Sequence, residues 1–356
     1  GYLIKSPPVV SGTGVYVPRA DGLVYKLDPF VGLLRWASPT NVGAGIDVSL
    51  AVNEGMGQLY VASLVGRLRA INTSTGSIIW TYTVSGAPKS WSAPIFSFPS
   101  GGNVYAGSED CYVYKINSSG GLVWRFQPPP PVAPVTSVAL ESTIVYAAAN
   151  VLLPTSVFRL YAFNDATPPT LVWIKNLTGP IYPLAVAYGK VYVCQSSPGS
   201  PHLYAFDAAT GALVWDKPNF SGPFAVAYGN IYISVGNQVY AFNASTGSPV
   251  PGWMNYTALG YEDPLNVVVA NGVIYAVFQA LEHKSIIVAL DASGDKLWEL
   301  TADSFLSPVI AQGSLYISSS EGVVYRYSYD PDIYPTRFVD AIAVWSHNAS
   351  SPNLYD

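Results

Sequence analysis

The stretch Ala205-Phe206-Asp207-Ala208-Ala209-Thr210-Gly211-Ala212-Leu213-Val214-Trp215 decides how this chain is read, because its pattern returns elsewhere. Ala70-Ile71-Asn72, Thr75-Gly76 and Ile78-Ile79-Trp80 repeat it with the same spacing: Asp or Asn, Thr three on, Gly four on, Trp eight on. An Asx side chain bonds backbone two residues ahead and Gly supplies a positive φ, so the segment predicts a turn between two strands. Weaker copies follow at Asp28, Gly32 and Trp36; Asn117, Gly121 and Trp124; Asn164, Thr167 and Trp173; Asn243, Gly247 and Trp253; and Asp291, Gly294 and Trp298. Seven of the nine tryptophans therefore fall on one lattice, whose period of about 44 residues is that of a repeat architecture.

Upstream of each turn comes a short Val-Tyr-Val type run, centred on Tyr16, Tyr60, Tyr105, Tyr146, Tyr192, Tyr232, Tyr275 and Tyr316. That makes eight units, of which the eighth has no Trp in the expected place. Each unit reads as four short strands: an inner one such as 225–228, the Val-Tyr-Val strand, a third such as 203–207, and an outer one ending at the Trp. Four-stranded units of this length closed in a ring predict an all-β fold, an eight-bladed β-propeller of four-stranded antiparallel blades. The Trp is expected to pack where adjacent blades meet, which assigns docking roles to Trp36, Trp80, Trp124, Trp173, Trp215, Trp253 and Trp298.

The spacing of Ala, Asp or Asn, Thr-Gly and Trp resembles the tryptophan-docking motif of the pyrroloquinoline-quinone-like (PQQ-like) propeller family, and the resemblance covers nearly the whole chain. That family includes quinone-dependent alcohol and sugar dehydrogenases. The resemblance implies, for those enzymes, a catalytic Asp, a calcium or lanthanide held by Glu, Asn and Asp, and in several cases a disulfide between adjacent cysteines. This chain has no Cys-Cys pair, and its Asp residues are nearly all taken up by turns. The expectation is a non-enzymatic member with no catalytic residue, no cofactor and no metal.

Composition narrows the function further. Only 11% of the 356 residues are charged, 50% are hydrophobic and 26 are tyrosines, which favours strands over helices. A net charge of -5 without any Lys or Arg cluster removes the electrostatic basis for nucleic-acid binding. No apolar run is long enough to span a bilayer as a helix. The three histidines, His202, His283 and His347, lack metal-ligand spacing. The acidic pairs Glu109-Asp110 and Glu262-Asp263 lack the run of oxygen ligands of a calcium site and read as solvated turns. Cys111 and Cys194 fall in non-adjacent blades and are expected as two buried thiols. The Pro128 to Pro131 run reads as a stiff connector.

Seven Asn-x-Ser/Thr sequons occur, at Asn72, Asn117, Asn176, Asn219, Asn243, Asn255 and Asn348. They are acceptors only in a secreted chain, and N-linked glycans are expected on several, first of all Asn255 and Asn348. With low charge, abundant Tyr, Ser and Thr, and few Cys and Met, they read as a prokaryotic cell-surface protein, with a thermophilic archaeal character.

The propeller is assigned to 1–336 and a C-terminal extension to 337–356. The eighth blade reads as broken at Asp330-Pro331 without an outer strand, and two segments could supply one: Tyr2-Leu3-Ile4, or the run from Phe338 to Trp345. The expectation is that the N-terminal segment closes the ring. The tail, with Phe338, Ile342, Val344 and Trp345, is then free for a neighbouring subunit. Three readings follow. The first is a secreted or surface-anchored structural and interaction propeller that self-associates, as in an extracellular filament or layer. The second is an envelope scaffold similar to the PQQ-like lipoprotein that assists outer-membrane barrel assembly, for which Gly1 is not the lipidated Cys needed. The third is a quinone-dependent dehydrogenase.

Overall fold

In the computed structural model of the protein, the repeat's turn is a hydrogen-bonded loop. The Asp207 carboxylate accepts the Thr210 N–H and the Thr210 hydroxyl, each at 2.8 Å, and Gly211 takes φ +70°. Asn72 and Asn243 accept the N–H groups two and three residues ahead in the same way. The Thr210 hydroxyl and N–H together hold the Asp207 carboxyl below the usual range. Each such turn joins the third strand of a blade to the fourth.

The structure describes residues 3–84, 90–97, 102–151, 156–197, 199–280, 284–303, 306–319, 322–328 and 342–348. They form eight four-stranded antiparallel sheets in a β-propeller arrangement, with one short 3-10 turn at Glu54–Met56 and no α-helix among the described residues. The eight blades that the repeat predicts are all present, at 9–41, 51–83, 95–126, 135–176, 181–218, 224–257, 263–303 and 309–348. Blade 5 shows the plan: Ile181–Ala187, Lys190–Gln195, His202–Asp207 and Leu213–Pro218 pair in chain order. Blades 2 to 5 make one compact unit, residues 48–221. Residues 1–47 and 222–356, with blades 1, 6, 7 and 8, make the other.

The second strand of each blade is deeply buried, and its tyrosine is the largest side chain there. Tyr16, Tyr60, Tyr105, Tyr146, Tyr192, Tyr275 and Tyr316 are all essentially inaccessible. A strand turns alternate side chains to opposite faces, so a blade flanked on both sides buries both sets. The apolar core is accordingly divided among the seams. One cluster joins blades 3 and 4 through Tyr105, Trp124, Val145 and Phe163, and another joins blades 4 and 5 through Tyr146, Trp173, Val191 and Phe206.

Three sequence expectations are corrected here. The outer strand does not end at the Trp: in blade 5 it starts at Leu213, two residues before Trp215, and runs on to Pro218. The eighth blade is not missing its outer strand. Ile342–Asn348 pairs antiparallel with Val323–Ser328, so the tail completes its own blade and is not spare. The physical reason is register. Trp215 pairs opposite Ala205 just before a β-bulge, and Trp80, Trp124, Trp173 and Trp298 sit in the same position opposite Ala70, Lys115, Ala162 and Ala289. Trp345 pairs opposite Arg326 immediately before the same bulge, so the eighth unit does have its lattice Trp, delivered late. Phe338 and Tyr2 lie outside the described residues. At the other end, the Leu3 carbonyl accepts the Ala20 N–H at 2.8 Å, and Ile4 is buried among Val15, Val17, Tyr316 and Val324. The N-terminal segment thus fills the seam between blades 8 and 1 without becoming a strand.

Candidate functional site

Among the described residues, several blades reach the turn of the next with polar side chains. The Trp173 indole N–H and the Tyr146 hydroxyl of blade 4 both donate to the Ala208 carbonyl of blade 5, at 2.9 and 3.1 Å. Ala208 follows the turn's Asp207. At the seam of blades 2 and 3 the Trp80 indole and the Gln58 amide donate to the Ser118 carbonyl, one residue past Asn117. At the seam of blades 8 and 1 the Tyr316 hydroxyl donates to the Pro29 carbonyl, one residue past Asp28. A main-chain oxygen in the turn is therefore the common acceptor. It satisfies an indole and a phenol that would otherwise be buried unpaired.

The turn glycine completes the seat. A Cβ on Gly211 would lie 2.7 Å from the Trp173 ring, and one on Gly120 would lie 2.7 Å from the Trp80 ring. The indole thus lies on a bare glycine that already needs a positive φ. Trp36, Trp215 and Trp298 are likewise buried, each with its ring within about 6 Å of the second-strand tyrosine of its own blade. Trp253 departs from this. It sits in a loop, half-buried, and its indole donates at 3.4 Å to the Val239 carbonyl of its own blade. The neighbouring seam contact passes to the backbone, where the Met254 N–H donates to the Ser293 carbonyl.

At one seam the acceptor is a carboxylate. Asp165 of blade 4 accepts both 2.8 Å bonds from the Lys115 ammonium, one from the Trp124 indole at 3.2 Å and one from the Tyr105 hydroxyl at 2.6 Å. A carboxylate here takes the place of the main-chain oxygen. Burial, and then the hydrogen bond with Asp165, push the Tyr105 phenol well above its ordinary value. The sequence reading missed this node. Its signal was the position two before the Asx residue, which is Ala in blades 2, 4, 5, 6 and 7 but Lys26 and Lys115 in blades 1 and 3; in blade 8, which has Ser328 in place of the Asx, the same position is Arg326. In all three the cation lies over the second-strand tyrosine, at 5.4 to 6.0 Å from the ring centroid.

The other candidates are held by local contacts. Glu109 accepts the Ser90 N–H at 2.9 Å, while Asp110 accepts the Tyr112 N–H and the Tyr114 hydroxyl. Asp263 opens the first strand of blade 7, and the Glu262 N–H donates to Gln279. His202 stacks on Tyr204 and lies 3.5 Å from Asp216; His283 is outside the described residues and His347 lies in the last strand. No group of three or more His, Cys, Asp or Glu that could hold a metal ion occurs among the described residues. Cys194 is buried, but Cys111 is only partly so, in a turn with φ +72°, which corrects the expectation of two buried thiols. Arg159 donates to the Pro129 and Pro131 carbonyls and so anchors the proline connector.

The sequons fall into two groups. Asn72, Asn117 and Asn243 are half-buried, with the side-chain oxygen engaged in their own turns. Asn176, Asn219 and Asn255 are exposed. The Asn176 oxygen accepts the Arg159 Nε–H at 2.8 Å, which leaves its amide nitrogen outward. Asn348 ends the last strand.

With the repeat and its docking geometry in place, comparison with known proteins gives the family. The pattern described as outer membrane protein assembly factor BamB matches residues 20–180 and 159–332. The chain belongs to this PQQ-like β-propeller family. The BamB of Yersinia pestis is 24% identical over 341 residues, covering 88% of this chain and 74% of its own length. The tetrathionate hydrolase of Acidithiobacillus ferrooxidans is also 24% identical, over 328 residues and 77% of this chain, which spans only 62% of that protein. The crystal structure of BamB from Moraxella catarrhalis superposes with a TM-score of 0.68 at 16% identity, covering 92% of this chain and 97% of that one; at this identity it speaks for the fold alone. BamB and the hydrolase share the propeller, so membership by itself leaves the chemistry open. No helix among the described residues is long and apolar enough to cross a membrane.

Proposed function

We propose that this chain is a non-catalytic propeller that works by binding other proteins outside the cytoplasm, at the cell envelope or surface. The observation that carries the reading is the BamB family match over most of the chain, since the named function of that family is the assembly of other proteins. Two features support it. At the seams of blades 2 and 3, 4 and 5, and 8 and 1, the recurring Tyr and Trp side chains are committed to docking on the neighbouring blade's turn. The exposed sequons Asn176, Asn219 and Asn255 are suited to glycan in a chain that has been exported. Self-association in an extracellular layer or filament is the narrower form of this reading, and an envelope scaffold is the other.

Fractionation of the native host, with crosslinking and intact-mass measurement, tests it. The expected result is recovery in the envelope or surface fraction, in a crosslinked complex. Glycan mass is expected on Asn176, Asn219 and Asn255 before Asn72, Asn117 or Asn243. Recovery as an unglycosylated cytoplasmic monomer would overturn the reading. So would turnover of tetrathionate by the purified chain, or reduction of an acceptor dye when quinone and calcium are added.

A further inference from the structure

Among the described residues, every blade ends in an outer strand whose far edge has no strand partner within its sheet, and proteins ordinarily protect such edges with charge, proline or shortness. Blades 1 and 6 use shortness: Thr40–Asn41 and Tyr256–Thr257 are two residues each. Leu122–Phe126 carries Arg125, and Leu171–Asn176 carries Lys175 and the exposed sequon Asn176. Leu213–Pro218 carries Asp216, Lys217 and Pro218, and Lys296–Asp303 carries Lys296, Glu299 and Asp303. Ile342–Asn348 carries His347 and ends on the sequon Asn348. Ile78–Thr83 in blade 2 has none of these devices. Its sequence, Ile-Ile-Trp-Thr-Tyr-Thr, has no charge, no proline and no glycine, and Ile78, Ile79, Thr81 and Thr83 are all exposed. Uncharged β-branched and aromatic segments of this length are the ones that pair with copies of themselves.

We propose that the outer edge of Ile78–Thr83 is a self-association surface, on which the same strand of a second copy of this chain pairs antiparallel about a two-fold axis. The choice of a second copy rests on charge. A two-fold axis through an antiparallel pair sets the residue at its centre against itself. Centred on Thr81, the pairing sets Thr81 against Thr81 and Ile79 against Thr83 of the second copy, which are favourable cross-strand combinations. The same operation on the residue after the lattice Trp in blades 3, 5 and 7 would set Arg125 against Arg125, Asp216 against Asp216 and Glu299 against Glu299. Like charges directly opposite are destabilising, so those edges reject the pairing that blade 2 accepts. A two-fold contact of this kind is closed and gives a dimer. One strand pair buries less than a standard interface, which makes the association weak and dependent on concentration.

This inference goes beyond the binding of other proteins by naming a partner, and its test needs only the purified full-length chain. Sedimentation across a concentration series is expected to show a monomer–dimer equilibrium. Thr81→Lys should weaken it by about tenfold or more, the scale of a like-charge clash at an interface, with the melting temperature unchanged. Val214→Lys, on the equally exposed outer edge of blade 5, should leave it intact. Thr81→Cys should give a dimer crosslinked through the new residue under mild oxidation, and this variant keeps the proposal testable if the lysine disturbs folding. A wild-type chain that stays monomeric throughout, a Thr81→Lys chain that dimerises as well as wild type, or a Thr81→Cys chain that does not crosslink would each overturn it. None of these outcomes would bear on cellular location or on activity.

Discussion

At Gly211 two constraints meet, a φ of +70° and a tryptophan ring where a side chain would begin. Gly189 shares the first, with φ +67°, but has nothing within 4 Å of the position of a Cβ. Comparing alanine at the two sites separates backbone strain from lost docking. Gly189→Ala should cost about 1–2 kcal/mol, the penalty of a left-handed conformation. Gly211→Ala should cost roughly 1–3 kcal/mol more, because Trp173 must give way. Chemical denaturation of the two variants measures this, and equal losses would mean that Trp173 moves aside freely. The turn at Asp207, Thr210 and Gly211 was legible in the sequence because a turn is local, whereas in blade 3 the glycine of positive φ beneath Trp80 is Gly120 and not the Gly121 that the spacing picked out. The carboxylate at Asp165 was not legible, because Lys115 and Tyr105 reach it from 50 and 60 residues away. Only the fold sets which blade faces which.

The last strand shows where strand counting reaches its limit. Between the third and fourth strands of blade 5 lie five residues, 208–212, but in blade 8 there are thirteen, 329–341. The spacing that identifies every other lattice Trp therefore passes over Trp345, and only the pairing of Arg326 with Trp345 reveals it. Removal of residues 342–356 is accordingly expected to destabilise the protein instead of releasing a spare tail. Six cross-strand pairs disappear, and at roughly 0.2–1 kcal/mol each they amount to a few kcal/mol. Amide hydrogen exchange should then show lost protection across Val323–Ser328, together with a lower melting temperature. Unchanged protection in the truncated chain would mean that something other than this strand covers that edge.

For the molecule as a whole, the seams make stability depend on tyrosines. Burial pushes the phenols of Tyr60, Tyr146 and Tyr192 up to about 12, and raises those of Tyr105 and Tyr114 as well. Above pH 10 an unfolded chain loses these protons while the native one keeps them, so the native state binds more protons and stability falls as pH rises. Their contribution is complete below about pH 10, the ordinary tyrosine value, and is lost between there and about pH 12. Alkaline titration should show buried tyrosinate absorbance and loss of far-UV circular dichroism in one steep step. Tyrosinate that appears well before the dichroism changes would show that the phenols ionise inside an intact fold.

The seam between blades 8 and 1 also bears on how the chain is made. Blade 1 leaves the ribosome before blade 8, and Ile4, Val15 and Val17 are the residues that Tyr316 and Val324 later cover. At about 5–20 residues per second, some tens of seconds separate the two ends during synthesis. For that interval one flank of the nascent chain is an apolar surface whose cover has not yet been translated. A chain with this architecture has a built-in period of dependence on whatever shields nascent or translocating polypeptide.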